Sequence, residues 1–271
     1  MPRPLSTLSM TSIRSRVRDC GYARVPLGID SKLIASLAAR VYERVGASPQ
    51  VPSTWAALPN ASRGFVPLWN DKILWRIRAQ AALLAVFAEL FETEDLWVSI
   101  DRCHFKPPVE VDPELGAQHF IHWDSDPSDP LFAPYQAAIA LTDTPYDQGA
   151  FVCSPDAYRF LRDGDHETAG RLRQRGDFDV ISVGCRAGDL IVWDHRLLHG
   201  NSANVGIAPR LAMYVTMQRS GTEDQRKRRT SFWKSGEWPG GPSRYPGFDR
   251  PDVPAPSLQD FWTPALGLDA P

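Results

Sequence analysis

Residues 120–124 read Phe-Ile-His-Trp-Asp and contain the only His-x-Asp of the chain, His122 and Asp124. His199 follows 75 residues after Asp124, and Arg210 stands eleven residues further on. Because residues i and i+2 of a β-strand point to the same side, His122 and Asp124 can face one ion together. Two imidazoles and one carboxylate form the facial set that holds non-haem Fe(II) while leaving three coordination positions open. An arginine on the following strand can bind the free carboxylate of an organic acid through a bidentate pair.

Three other histidines are alternatives to these candidate ligands. His119 is an alternative to His122, but no carboxylate follows it two residues later. His195 precedes His199 by four residues, lies nearer the body of the strand, and is interpreted as a packing residue or as a neighbour of the ligands. His166 stands among acidic residues and is interpreted as part of a surface loop.

Short runs of β-type residues, separated by Gly, Pro and Asp, extend from about residue 97 to residue 219. With little helical pattern between them, they predict a mainly β fold. The predicted core is a double-stranded β-helix, the cupin-like jelly roll, with N-terminal helices packed outside it. The last predicted strand has apolar residues on one face and a polar face that suits the lining of a ligand cavity. The predicted strands cover residues 97–105, 118–123, 136–141, 151–153, 179–183, 189–193 and 211–218.

A single domain is predicted over residues 1–271, since all-β domains of this length are common. Helical spacing of apolar residues predicts one helix behind Asp30 and a second over about 71–91, within a helical part at about 28–92. Residues 1 to about 27 are predicted to be a leader, and 220–271 an irregular tail. The aromatic-rich segment 55–69 is a candidate substrate lid or, with equal weight, a packing strap.

Composition restricts the classes of partner. The formal net charge of −2 gives no reason to predict nucleic acid or an anionic membrane surface as a partner. Four cysteines occur without a Cys-x-x-Cys pair, which fits reduced thiols. The first residues carry several arginines without the apolar stretch of a secretory signal, so the predicted compartment is the cytoplasm. The sequence does not indicate an oligomeric state.

Further motifs follow in a fixed order around the His-x-Asp. Phe-Lys-Pro-Pro at 105–108 precedes it, and Gln-Gly-Ala-Phe at 148–151 leads into Ser-Pro-Asp-Ala-Tyr-Arg at 154–159. Gly-Asp at 188–189, His-Gly at 199–200 and Arg210 complete the set. Over roughly residues 97–218 the chain resembles the phytanoyl-CoA dioxygenase family of Fe(II)/2-oxoglutarate-dependent oxygenases. It departs from the family at residues 156–158, where a Pro-Gly-Ser-His-Arg-like segment is usual.

The resemblance implies roles for individual residues. His104, two residues before Lys106, occupies a place where relatives often have a side chain that hydrogen-bonds the near carboxylate of 2-oxoglutarate. Lys106 itself is a candidate for a charge at the mouth of the site, but the favoured interpretation is a solvated lysine. The implied iron ligands are His122, Asp124 and His199, and the implied 2-oxoglutarate residues are Arg210, His104, Ser202 and Asn201.

The function implied is the hydroxylation, or another oxidation, of an unactivated C–H bond of a small molecule by O2. This reaction is coupled to decarboxylation of 2-oxoglutarate to succinate and CO2. A natural-product intermediate or a modified amino acid is the predicted substrate class. Two alternatives remain open: a cupin-like metal-dependent isomerase or hydrolase that does not use 2-oxoglutarate, and a non-catalytic small-molecule binding protein. Candidates for an aromatic pocket or lid, which also fit ordinary packing, are Trp55, Phe65, Trp69, Phe120 and Trp233.

Overall fold

The structure is a computed structural model that describes residues 11–56, 58, 63–66, 68, 71–98, 102–124, 126–127, 134–176 and 178–227. Its strands are β1 (Tyr22–Pro26), β2 (Phe65–Val66), β3 (Leu96–Val98), β4 (Cys103–Lys106), β5 (Phe120–His122), β6 (Tyr135–Ala140), β7 (Phe151–Ser154), β8 (Ile181–Val183), β9 (Asp189–Asp194), β10 (Leu198–Asn201), β11 (Arg210–Val215) and β12 (Met217–Arg219).

Two antiparallel sheets form the core. The major sheet has the strand order β1-β9-β6-β11-β4-β2, and the minor sheet has the order β5-β10-β7-β8. Buried side chains from both sheets belong to one apolar cluster, so the sheets face each other. A third pairing joins β12 to β3. The predicted mainly β jelly roll is confirmed.

The helices pack mainly against the major sheet. The helix predicted behind Asp30 is confirmed, because the Asp30 carboxylate accepts a hydrogen bond of 2.9 Å from the backbone N–H of Lys32 at the helix start. The helices are α1 (Thr11–Cys20), α2 (Ser31–Val45), α3 (Lys72–Arg78), α4 (Ala81–Phe91), α5 (Pro113–Gly116), α6 (Pro155–Arg162) and α7 (His166–Arg175).

The outer face of the major sheet packs against helices α2, α3 and α4. Leu211, Met213 and Val215 of β11 are fully buried in the same cluster as Leu37 of α2 and Phe87 of α4. Burial of these apolar side chains contributes roughly 2 kcal/mol each. The predicted alternation along β11 is therefore confirmed, with its apolar residues on the helix side.

The opposite face of the major sheet, called the inner face below, looks toward the minor sheet. Cross-strand partners share a face of a sheet, so the strand register decides which residues belong to it. Small alanine side chains at its centre belong to the apolar cluster between the sheets, whereas polar side chains surround them. Its members include His104, Lys106, Gln136, Ala138, Ala140, Arg210, Ala212 and Tyr214.

The prediction of a leader over residues 1 to about 27 was wrong for residues 11–26, whereas residues 1–10 lie outside the described part of the chain. Residues 11–20 form a helix, and β1 is a strand of the major sheet that pairs with β9 along its whole length. Only Ala23 of this strand is buried, and two of its five residues are Arg24 and Pro26. Such a sequence has weak strand propensity, and pairing with the edge of β9 decides its conformation.

Three long elements are each divided in the structure. The helix predicted over 71–91 is two helices, because Gln80 has extended backbone angles (φ −66°, ψ 128°). The resulting bend lets both helices bury their apolar faces. The strand predicted over 97–105 is β3 and β4, with 99–101 outside the described residues, and the strand over 211–218 is β11 and β12. Strands β3 and β12 pair with each other instead of extending the major sheet.

The prediction was also wrong between β7 and β8, where no helix was expected. Helices α6 and α7 lie there, and His166 is the exposed first residue of α7 instead of a loop residue. Strand β10, which carries His199, was not among the predicted strands. Within the described part of the chain, no helix combines the length and the apolar composition needed to cross a bilayer.

Candidate metal centre

Strands β5 and β10 bring the three predicted metal ligands together. His122 and His199 are cross-strand partners, and their rings lie 4.9 Å apart. Asp124 follows β5, with Oδ1 3.1 Å from His122 Nε2 and Oδ2 3.6 Å from His199 Nε2. One potential ligand atom from each residue lies within 4.8 Å of the others. We call His122, Asp124 and His199 the triad.

The environment of His199 prepares it to bind a metal through Nε2. Its Nδ1 lies 2.9 Å from the backbone carbonyl of Leu197. A carbonyl can only accept, so Nδ1 carries the proton and the Nε2 lone pair remains on the side of Asp124. Burial lowers the pKa of His199 against the opposing effect of the Asp124 carboxylate, which favours the neutral imidazole. The rings of Trp193 and Phe151 lie 5.0 and 5.9 Å from the His199 ring.

Asp124 is ionised at neutral pH. Burial is the largest single influence and raises its pKa, but the hydrogen bond with His122, the charge of His199 and a hydrogen bond with Gln136 together lower the pKa to about 2. Gln136 lies on the inner face of β6, so it links the triad to the major sheet. Its role was missed from the sequence, where nothing distinguishes it from a solvent-facing glutamine.

Arg210 lies on the inner face and is only 5% exposed. Its Nη1 has no hydrogen-bond partner among the described residues, and neither has the buried Oγ of Ser202. Buried donors without partners cost free energy unless a ligand satisfies them. Asn201 is half-buried and, two residues after His199 on β10, shares its face of the strand. The two buried donors therefore fit an anionic ligand.

His104 lies beside Arg210 on the neighbouring strand β4. Burial, followed by the charges of Arg210 and Lys106, holds its pKa well below the ordinary value, so the ring is neutral. The ring donates a hydrogen bond to the backbone of Arg63, and its Nδ1 has no partner among the described residues. The Phe65 ring packs edge-on against it at 5.1 Å. Part of the predicted lid segment 55–69 therefore lies directly against His104.

Lys106 was predicted to be solvated, and that prediction was wrong. It is the cross-strand partner of Arg210 and is only 2% exposed. Its Nζ donates a hydrogen bond to the backbone carbonyl of Gln118, two residues before β5. Burial, together with the charge of Arg210, lowers the pKa of Lys106 to about 7. The alternation of β4, with Cys103 and Phe105 on the helix side, requires this burial.

Comparison with known proteins identifies this arrangement. A family model described as phytanoyl-CoA dioxygenase matches residues 17–212, more than half of the chain. The chain belongs to the phytanoyl-CoA dioxygenase family. The resemblance found in the sequence is confirmed. No curated protein matches the chain.

Solved structures of similar fold include enzymes of natural-product biosynthesis. The non-haem α-ketoglutarate-dependent epimerase SnoN from nogalamycin biosynthesis is 19% identical, with a TM-score of 0.59 over 91% of this chain and 94% of SnoN. The carbocyclase SnoK from the same biosynthesis is 20% identical, with a TM-score of 0.56 over 89% of this chain and 95% of SnoK. EctD from S. alaskensis is 16% identical, with a TM-score of 0.58 over 80% of each chain.

Family membership and the triad together make this chain an oxygenase-type enzyme that depends on iron and 2-oxoglutarate. The predicted cofactor and co-substrate are thereby confirmed. The donor set fits Fe(II), because it offers two imidazole nitrogens and a carboxylate and contains no thiolate.

The other histidines and the aromatic residues that were candidates for the site lie outside the triad or outside the described residues. His119 is exposed and outside the triad, so His122 is the better candidate of the two. His195 packs beside Asp194, with Nδ1 3.5 Å from Oδ1. Trp55 is buried in the helix-side core and donates to the carbonyl of Ser48 at 2.7 Å, as expected for a packing strap. Trp69, Trp233 and the side chain of Phe120 lie outside the described part of the structure.

Proposed function

We propose that this family member hydroxylates an unactivated C–H bond of a small molecule and couples that reaction to the decarboxylation of 2-oxoglutarate to succinate and CO2. The observation that carries the proposal is the buried Arg210, which lies on the same inner face as Gln136. Its Nη1 has no hydrogen-bond partner in the part of the chain that the structure describes. A cupin-like isomerase or hydrolase has no need of a cation there. A non-catalytic binding protein has no need of a complete triad.

Each residue has a proposed task. The triad holds Fe(II), and Arg210 binds the far carboxylate of 2-oxoglutarate, with Ser202 or Asn201 donating further hydrogen bonds. His104 lies where it can meet the near carboxylate. The one N–H of the neutral ring already donates to the backbone of Arg63. A carboxylate can only accept, so Nδ1 can donate to it only if the ring takes up a second proton there. When bound, iron and 2-oxoglutarate would activate O2, the oxidant that the attack on a C–H bond requires.

Aromatic side chains cover the triad on the side of His199. Trp193 and Phe151 cover His199 from the inter-sheet core, and they are themselves buried. Paired strands with one apolar wall therefore support the triad, and rigid support of this kind is what control of a reactive oxidant requires.

The substrate class is proposed from the solved relatives. SnoN and SnoK act in nogalamycin biosynthesis, and EctD was determined with 2-oxoglutarate and 5-hydroxyectoine. These names support a natural-product intermediate or a modified amino acid as the substrate. They also support a second candidate reaction, epimerisation or ring closure, since SnoN is described as an epimerase and SnoK as a carbocyclase.

The first test is spectroscopic. Anaerobic addition of Fe(II) and 2-oxoglutarate to the purified protein is expected to produce the weak visible absorption band of the iron chelate. On admission of O2, succinate should form. His122→Ala should abolish both signals, whereas His119→Ala, which removes an exposed histidine three residues away, should keep them. Equal signals in the two variants would overturn the proposal.

The second test addresses the substrate. Metabolite extracts incubated with the enzyme, Fe(II), 2-oxoglutarate and O2 are compared by mass spectrometry with extracts incubated with Asp124→Ala. Hydroxylation predicts a product that has gained one oxygen atom. Ring closure predicts a product that has lost two hydrogens, and epimerisation predicts a product of unchanged mass but altered retention.

A further inference from the structure

A turn of residues 194–197, called the inter-sheet turn, carries the chain from β9 of the major sheet into β10 of the minor sheet. An ion pair between the buried Asp194 and the partly exposed Arg196 holds it. Asp194 Oδ1 accepts hydrogen bonds of 2.9 Å from both the backbone N–H and the Nε of Arg196, and Oδ2 accepts one of 2.7 Å from Nη2. Such a two-pronged contact fixes direction as well as distance.

Neighbouring elements lock the same turn from outside. Tyr158 of α6 donates its hydroxyl to Asp194 Oδ2 at 3.3 Å, and the backbone N–H of Asp194 donates to the carbonyl of Gly21 at 2.8 Å. Gly21 has a φ of +83°, and a Cβ there would lie 2.7 Å from Leu197 Cδ1. Only glycine permits this close approach, so the turn has little freedom to shift.

Two consecutive carbonyls of the inter-sheet turn reach the two strands of the triad. The carbonyl of Arg196 accepts a hydrogen bond of 2.9 Å from the indole Nε1 of Trp123, the residue between His122 and Asp124. The next carbonyl, that of Leu197, accepts from His199 Nδ1 at 2.9 Å. One rigid turn therefore holds both halves of the metal centre.

We propose that the Asp194–Arg196 ion pair and Trp123 are positioning residues that set the spacing of the triad through the carbonyls of residues 196 and 197. This inference rests on the proposed function, because it takes the triad to be the metal site. Groups that orient metal ligands from behind typically change metal affinity by roughly 10- to 100-fold when they are removed. The ion pair itself never touches the metal, so its effect passes through backbone geometry alone.

The chain offers a matched control at the other end of β9. There Arg24 Nε pairs with Asp189 Oδ2 at 3.0 Å, and the Asp189 side chain, like that of Asp194, is 8% exposed. Both ion pairs brace β9, but the one at Asp189 has no contact with the inter-sheet turn. Arg196→Gln and Arg24→Gln should therefore both lower the melting temperature, whereas only the first should affect the metal centre.

The measurement is the Kd for Co(II), followed by its visible absorption in the absence of 2-oxoglutarate. We expect Arg196→Gln to weaken Co(II) binding by about 10-fold or more, and Arg24→Gln to stay within about twofold of the parent protein. Arg196→Lys, which restores the charge without the planar fork, should recover part of the affinity. Equal Co(II) affinity in Arg196→Gln and Arg24→Gln would overturn the inference.

Trp123→Phe keeps an aromatic ring but removes the indole N–H, so it tests the carbonyl contact without breaking the ion pair. It should weaken Co(II) binding about 10-fold. In the metal-free protein, the proton NMR signal of the His199 Nδ1–H should exchange faster in Arg196→Gln than in Arg24→Gln. The positioning role is contradicted if Trp123→Phe binds Co(II) as tightly as the parent protein and the His199 Nδ1–H proton exchanges at the same rate in Arg196→Gln and in Arg24→Gln. Failure of the parent protein to bind Co(II) would instead refute the proposed function itself.

Discussion

His122 and His199 are cross-strand partners on β5 and β10, with their ring centroids 4.9 Å apart. This register decides whether a metal site exists. Side chains alternate between the faces of a strand, so a slip of one residue would turn His199 away from His122. The turn before β10 and the pairing of β10 with β7 on its other side both hold the register.

Asp124→Ala is expected to remove metal binding while the fold remains. Asp124 is the only carboxylate of the triad, and its loss should weaken Co(II) binding on the order of 100-fold or more. Because its side chain is partly exposed, the free energy of unfolding should change by only about 1 kcal/mol. Co(II) titration and thermal melting monitored by circular dichroism measure the two effects. Asp147→Ala, at an exposed acidic position, serves as the control and should bind Co(II) normally.

Arg210→Met should make the ligand-free protein more stable and weaken the binding of 2-oxoglutarate. Among the described residues the buried guanidinium has no partner at Nη1, and it lies beside the buried Lys106. Replacing it with an apolar side chain should therefore stabilise the ligand-free protein by about 1–3 kcal/mol. The affinity for 2-oxoglutarate, measured by anaerobic calorimetry with Fe(II), should fall roughly 100-fold, because a bidentate charge-assisted contact is lost. A variant that is less stable and still binds 2-oxoglutarate tightly would contradict this role.

Lys106 should make stability depend on pH above neutrality. Its pKa in the folded protein is about 7, below the ordinary 10.5, because of burial and the charge of Arg210. Between these values the unfolded chain holds a proton that the folded chain has lost, so the free energy of unfolding rises with pH, by up to about 1.4 kcal/mol per pH unit.

Urea denaturation from pH 6 to pH 9.5 measures this slope. The difference in slope between the parent protein and Lys106→Met isolates the lysine from the other groups that titrate in this range. Lys32→Met, at an exposed position in α2, should keep the parent slope. If Lys106→Met also keeps that slope, the lysine is not the group responsible.

Gly64→Ala should disturb the wall of the site. Gly64 has a φ of +80°, and a Cβ there would lie 2.6 Å from the carbonyl of Phe105 and 2.8 Å from His104 Nε2. Gly28 has a similar φ of +66° but open space around it. Gly28→Ala should therefore cost only the backbone strain, about 1–2 kcal/mol. Gly64→Ala should cost clearly more and also weaken 2-oxoglutarate binding, as thermal melting and calorimetry can show.

Local rules predicted much of the site. The i, i+2 geometry of a strand predicted that His122 and Asp124 act together, and both contribute to the triad. The alternation of β11 predicted the face of Arg210, which is buried on the inner face. Both predictions depend on a few neighbouring residues, whose side-chain directions follow from the backbone conformation alone.

Features that depend on contacts between segments far apart in the sequence were predicted wrongly or missed. Lysine is usually a surface residue, yet the position of Lys106 in β4 buries it beside Arg210. Tyr22–Pro26 lacks a strong strand pattern, yet it forms a strand of the major sheet because it pairs with β9. Gln136 became a partner of Asp124 only because the two sheets face each other.

The sequence by itself determined which side chains are available for the metal and the co-substrate, and which face of its own strand each one takes, because those properties are local. Only the tertiary structure decided that His199 would meet His122 and that Lys106 would be buried. It also decided that the turn of residues 194–197 would hold both halves of the triad. These relationships depend on hydrogen-bond register and sheet packing between segments far apart in the chain, and no short stretch of sequence specifies either.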